Sequence, residues 1–203
     1  MQKVKLTKNE LKRQKDDLKR FTRYLPTLAL KKQQLQLEII KLLHDMETLE
    51  TEIADFRKSV YEWVNVFAEN VNLESLISIE KIEVSEGNVA GVDIPVFEKI
   101  NFKENPYDAF ITPLWVDYGI EAVKNILILK AKYGIFQKQL EFIKEELRIT
   151  AQRVNLFEKV KIPEAKEAIR KIRIFLGDLE TAAVITGKIA KKKIQKKIGT
   201  KLS

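Results

Sequence analysis

"LQLEIIKLLHDMETLETEIADF", Leu35 to Phe56, carries the pattern on which the fold turns. Leu35, Leu42, Leu49 and Phe56 recur every seven residues, and Ile39, Met46 and Ile53 fall between them on a second position of the same repeat. Apolar side chains spaced alternately three and four apart line one side of an α-helix. Held over many turns, that stripe is the seam of a coiled coil. Followed outward, one position runs through Leu11, Leu18, Leu25, Lys32, Ile39, Met46, Ile53, Val60 and Phe67. The other runs through Gln14, Phe21, Leu28, Leu35, Leu42, Leu49, Phe56 and Trp63, so that only Gln14 and Lys32 are polar. A helix from Leu11 to Phe67 would be roughly 85 Å long at ~1.5 Å per residue, far beyond an average globular helix. The ~3.5-residue period predicts a left-handed supercoil.

Thr7 and Glu10 mark the start of this helix as a capping box, with the Thr7 hydroxyl taking the Glu10 amide and the glutamate reaching back to the Thr7 amide. Pro26 removes one donor, and since the repeat keeps its phase on both sides a kink is expected there; a helix that begins at Pro26 is the alternative. The pattern returns through Ile126, Leu129, Tyr133, Phe136, Leu140, Ile143, Leu147, Val154 and Phe157, with Thr150 in the one polar slot. Beyond Pro163 the apolar residues Ala165, Ile169, Ile172, Leu176, Leu179 and Ala183 leave that count, which predicts a stutter in the supercoil. Two such helices in one chain fold back most economically as an antiparallel hairpin, with facing residues whose numbers sum to about 190–200. The seam would rest on Leu35, Ile39, Leu42, Met46, Leu49, Leu140, Ile143, Leu147 and Val154.

Between the helices the composition changes. In "SLISIEKIEVSEGNVAGVDIPVFEKINF", Ser75 to Phe102, apolar residues alternate at Ile77 and Ile79, shift phase at Glu80-Lys81, and alternate again at Ile82 and Val84. Val92, Ile94 and Val96 follow the loop "EGNVAG". Two short strands with a bulge make a β-hairpin, and Pro95 suits an edge. Thr112 and Pro113 read as the cap and first residue of the returning helix. A two-stranded hairpin is marginal alone in water, so it is expected to pack on the helix ends under Trp63, Phe67, Phe110, Leu114 and Trp115. The expected fold is mainly α, a long antiparallel left-handed two-helix coiled coil with a small central β-hairpin head. Residues 1–76 form the N-terminal long helix, 77–112 the hairpin and loop head, and 113–203 the C-terminal long helix with its basic end.

The chain of 203 residues has no cysteine, which excludes disulfides, thiol nucleophiles and Cys-ligated metals. The N-terminus lacks an apolar signal core and no run of eighteen apolar residues occurs, so a soluble or peripheral protein without direct membrane insertion is expected. Neither a P-loop nor a metal-ligand spacing is present, and His44, the one histidine, falls outside both seam positions. No catalytic residue, cofactor or metal is expected. The formal charge of +8 is concentrated near the C-terminus: no acidic residue follows Glu180, whereas Lys188, Lys191, Lys192, Lys193, Lys196, Lys197 and Lys201 do. Such a tail suits anionic partners, although lysines near a helix C-terminus are also what the helix dipole prefers.

"TAQRVNLFEKVKIPEAKEAIRKIRIFLGDLE", from Thr150, resembles the D subunit of V-type and A-type ATPases, through Arg153, Val154, Asn155, Glu158, Ile162, Pro163, Ile169, Ile172 and Leu176. Gly91, Val92, Ile94 and Pro95 match that family's Gly-Val-x-(Ile/Val)-Pro turn, and Thr7, Glu10 and Leu11 its Thr-x-x-Glu-Leu start. The chain departs from the family where Lys31 is kept but Lys32 and Gln33 replace an Arg-Asp pair, and where "TAAVITGK" replaces a Glu-rich stretch. The resemblance implies a non-catalytic central-stalk rotor subunit that transmits torque between the catalytic hexamer and the membrane rotor ring, coupling ATP hydrolysis or synthesis to ion transport. Its implied partners are the catalytic A and B subunits, the small stalk F subunit and the membrane-rotor adaptor, the C/d subunit, in a cytoplasmic complex peripheral to the membrane. Leu11, Lys188, Lys191, Lys192, Lys193 and Lys196 would form the bearing in the hexamer, and Gly91, Val92, Ile94 and Pro95 the coupling head.

A seam alone would equally serve an autonomous coiled-coil scaffold or adaptor, which would run as a dimer on gel filtration where an intramolecular hairpin runs as a monomer. Nucleic-acid binding is not expected, because the basic tail lacks aromatic interleaving and any recognised module.

Overall fold

The computed structural model describes residues 5–64, 73, 76–107 and 112–199, without the side chains of 64 and 196–199. Helix α1 (Lys8–Val64) is followed by strands β1 (Ile77–Val89) and β2 (Val92–Glu104), helix α2 (Val116–Leu156), a π-turn at Phe157–Lys161, and helix α3 (Ile162–Gly199). The fold is thus mainly helical with a small antiparallel hairpin, as the heptads and the alternating stretch require. Two compact units divide the chain, one of residues 31–150 and one of residues 1–30 with 151–203.

In both units α1 buries the heptad stripe. Every described seam position from Leu11 to Trp63 is buried or half-buried, including the polar Gln14 and Lys32, and His44 is exposed. Glu10 N–H donates to Thr7 Oγ1 at 3.2 Å. The reciprocal half of the capping box does not form, because the Glu10 carboxylate accepts from Gln14 and lies near Arg13 instead. The helix runs unbroken through Pro26. Thr22 and Pro26 are both exposed, so the carbonyl left without a donor is open to water.

In the unit of residues 31–150 the helices run antiparallel: Lys31 meets Glu146, and Glu50 accepts from the Tyr133 hydroxyl. In the other unit Lys8 meets Glu180 and Phe21 packs on Phe157 with ring centroids 5.1 Å apart. Three of these four pairs sum to about 180, below the 190–200 expected of a seam-matched hairpin. The reason is geometric: the fold reverses about the hairpin turn near Gly91, midway between the end of α1 and the start of α2.

The strands are longer than expected, thirteen residues each, with bulges between Ile79 and Lys81 and between Glu83 and Val84. The first is the phase shift visible at Glu80-Lys81. The six-residue loop expected there contracts to two residues, since Val89 pairs with Val92 and only Ala90 and Gly91 lie between. Helix α2 begins at Val116, later than the Thr112-Pro113 start read from sequence; Pro113 instead offers its carbonyl to the Val116 amide at 3.0 Å.

At the hairpin base Ile77 packs with Val116 and Ile120, flanked by Leu73, Leu76, Phe102, Tyr107, Trp115 and Val123. Of the expected cover, Trp115 takes part, Leu114 is 88% exposed, Trp63 is half-buried, and Phe67 and Phe110 lie outside the described residues. The far end of the hairpin does not stay at the helix ends. Its residues Val89, Ala90, Val92 and Ile94 pack with Leu35, Leu42 and Ile143.

In the unit of residues 1–30 and 151–203, Val154 and Phe157 keep the earlier count, whereas Ile162, Ala165, Ile169, Ile172 and Leu176 each fall one residue late. The π-turn supplies the extra residue, closed by Ile162 N–H donating to the Phe157 carbonyl. What the sequence presents as a stutter is a single-residue insertion. Pro163 has no amide to continue an α-helical ladder, which favours rearrangement just before it.

Candidate functional site

The hairpin tip is built by its turn. Ala90 and Gly91 both have positive φ, 51° and 77°, the signature of the two-residue connections whose twist matches paired strands. Asn88 closes the turn through its side chain, accepting from Gly91 N–H at 3.1 Å and donating to Asp93 at 2.6 Å. A Cβ placed on Gly91 would have Lys31 Nζ as its neighbour at 3.8 Å. Lys31 in turn holds Glu146 at 2.6 Å with both side chains mostly covered.

Behind the turn, Ile94 is 8% exposed, and the Pro95 carbonyl accepts from Gln139, itself buried. Lys132 stands over the Phe97 ring, 5.7 Å from its centroid. Of the residues singled out as a head, Val92 and Ile94 therefore share one cluster with the seam residues Leu35, Ile39, Leu42, Leu140, Ile143 and Leu147, while Gly91 lies beside Lys31 and Pro95 accepts from Gln139. Gln139 was not legible as a site residue, because one glutamine on a helix carries no periodic signal. Met46 and Leu49 are buried as well.

The basic helix is a different surface. Leu11 is half-buried, and Val154 is buried. Lys188, Lys191, Lys192 and Lys193 are exposed; Lys196 lies in α3, with its side chain outside the described residues. Every residue from Gly177 to Gln195 is exposed, so Val184, Ile185, Ile189 and Ile194 share this surface with the lysines.

Titratable groups are tuned by local partners. The Tyr133 phenol is held above its ordinary pKa by its hydrogen bond to Glu50, and Tyr107 likewise by Asp117. Glu83 is held below the usual carboxylate range, first by the Asn101 amide and further by Lys99; Glu145 and Glu167 are lowered by Arg148 and Arg170. These are structural ties on helix and strand faces. Among the described residues no group of three or more His, Asp or Glu could hold a metal, and no helix is long and apolar enough to cross a membrane. Thr150 is fully buried with no partner for Oγ1 among the described residues.

Residues 10–192 match the family model of the ATP synthase D subunit. The chain is 47% identical over 197 residues to the V-type ATP synthase D subunit of Borreliella burgdorferi, covering 97% of this chain and 98% of that one. It is 35% identical over 197 residues to the protein of the same name from Chlamydia abortus, covering 96% and 95%, and 34% identical over 195 residues to that of Chlamydia trachomatis, covering 95% and 96%.

Proposed function

Because the chain belongs to the family of ATP synthase D subunits, we propose that it is the central-stalk rotor component of a V/A-type ATPase, passing torque between the catalytic hexamer and the membrane rotor ring. In this reading it is non-catalytic and couples ATP hydrolysis or synthesis to ion transport. Its partners are the catalytic A and B subunits, the small stalk F subunit and the membrane-rotor adaptor, the C/d subunit, in a cytoplasmic complex peripheral to the membrane.

The observation that carries the proposal is the end of α3, exposed from Gly177 to Gln195 and without an acid after Glu180. An axle must avoid a single tight site. Lysines facing a mixed or acidic wall make many weak, salt-screened contacts of similar energy at every angle. Differential contact energies between the turning chain and three catalytic interfaces then link rotation to nucleotide state. Leu11, Lys188, Lys191, Lys192, Lys193 and Lys196 form the bearing in this proposal, and Gly91, Val92, Ile94 and Pro95 brace the part that couples to the next rotor component.

Two measurements test it. The full chain should co-purify with the A and B subunits from native membranes. In titrations at near-physiological salt, the chain should bind the hexamer, and removal of Lys191 to Ser203 should weaken that binding while leaving the helical signal of the remainder. Tail-dependent binding to a nucleic-acid duplex alone would overturn the bearing assignment.

A further inference from the structure

Between α1 and α3, within the unit of residues 1–30 and 151–203, lies an open groove of about 870 Å³. Lys15, Lys19 and Arg23 stand along one wall at helical spacings of four, and Lys166, Arg170 and Arg173 along the other at spacings of four and three. Leu18 and Ile169, both seam residues, floor the groove with Thr22 between the rows, and Ile174 is exposed beside Arg173. All six cations are exposed. Arg170 is engaged by Glu167, whereas the other five make no ion pair among the described residues.

A neighbouring surface shows that this imbalance is local. Asn9, Lys12, Arg13, Asp16, Asp17 and Arg20 line a second concavity in which Arg13 and Arg20 both meet Asp17, and Arg13 also lies near Glu10. One surface neutralises itself and the other does not. The groove walls extend about 12 Å along α1, from Lys15 to Arg23 at ~1.5 Å per residue.

A small anion would want donors converging on one point, and these are spread in two rows with an apolar strip between. A nucleic-acid backbone would use the rows and leave the strip without a partner. Both features are met by an amphipathic helix whose apolar ridge enters the groove with acidic residues on either flank. We propose that this groove is the docking site for an acid-flanked amphipathic helix of another subunit of the same ATPase. The proposal rests on the rotor reading in taking the occupant from that complex, and it assigns a contact separate from the tail bearing.

The test places a photoreactive side chain at Thr22 in the full chain, assembled in the native ATPase, and identifies the cross-linked peptide by mass spectrometry. The expected product joins Thr22 to a helical segment of a partner subunit bearing Asp or Glu on both flanks of an apolar ridge. With weak exposed pairs of the usual size, Lys19→Gln combined with Arg173→Gln should cut the yield about fivefold, while Lys12→Gln on the self-neutralised surface should change it less than about twofold. Cross-linking to a segment without acidic flanks, to nucleic acid or only within the chain overturns the proposal, as does an unchanged yield in the double variant. Assembly without a Thr22 product sinks the groove alone; failure of the full chain to assemble with the ATPase sinks the rotor reading and the groove together.

Discussion

Lys31 and Glu146 meet at 2.6 Å beside Gly91, so that one ammonium on α1 ties α2 and stands next to the hairpin turn. Neither side chain is more than a third exposed, which reduces the screening that makes surface pairs weak. Lys31→Met keeps the stem and removes the charge, leaving Glu146 without its partner. Urea unfolding should show a loss of about 1–3 kcal/mol. An unchanged midpoint would mean that the pair contributes nothing to the tie between α1 and α2.

The sequence reading sets the hairpin on the helix ends as a small head; the packing of Ile94 with Leu35, Leu42 and Ile143 ties it instead into the core between the helices. Ile94→Ala should destabilise by about 2–4 kcal/mol through lost burial and a residual cavity. Replacing Glu86 to Glu98 with a short Gly-Ser turn should likewise lower the melting temperature of the helical signal, because it uncovers three buried seam positions. Unaltered melting in the replacement would mean that the hairpin is separable from the helices.

Ala90 carries φ of 51° in the turn, a conformation that glycine adopts without penalty and alanine does not. Ala90→Gly should therefore stabilise by up to about 1 kcal/mol, an unusual direction for a substitution to glycine. Thermal melting of the two forms side by side checks the sign, and a lower midpoint in the variant would contradict the turn geometry.

Tyr133 donates to Glu50, and the neighbouring carboxylate raises its pKa. A group whose folded pKa is raised contributes stability that is fully present below its unfolded pKa, about 10 for tyrosine, and lost as pH rises through the folded value. The stability difference between the parent and Tyr133→Phe should hold constant near neutrality and shrink in alkali. The tyrosinate absorbance of the parent should also contain a late-ionising phenol that the variant lacks. Early ionisation of that phenol would rule out the tie.

How far the sequence could be read follows from the reach of each interaction. The seam from Leu11 to Trp63 was legible because its signal repeats over many turns, so that Gln14 and Lys32 could not obscure it. The bulge at Ile79/Lys81 showed as a local break in alternation. Hidden from view were the features set by contacts remote in sequence: Ile94 against Leu35 and Ile143, Gln139 against the Pro95 carbonyl, and the register of the two helices. Apolar residues after Pro163 announced a change of phase, but pattern alone does not separate an altered pitch from one added residue.

The π-turn at Phe157–Lys161 also acts as an angular index. One residue of an α-helix corresponds to about 100° of rotation at ~3.6 residues per turn. Regular α-helix there with no residue removed would swing every side chain from Ile162 onward by that amount about the α3 axis, whereas losing one residue together with the turn would keep the seam in phase. With the swing, Ile169 and Ile172 would leave the seam, and Lys166, Arg170 and Arg173 would face a new direction together. The five residues of the π-turn thus set, like a key on a shaft, the bearing at which the charged rows of α3 meet whatever surrounds them.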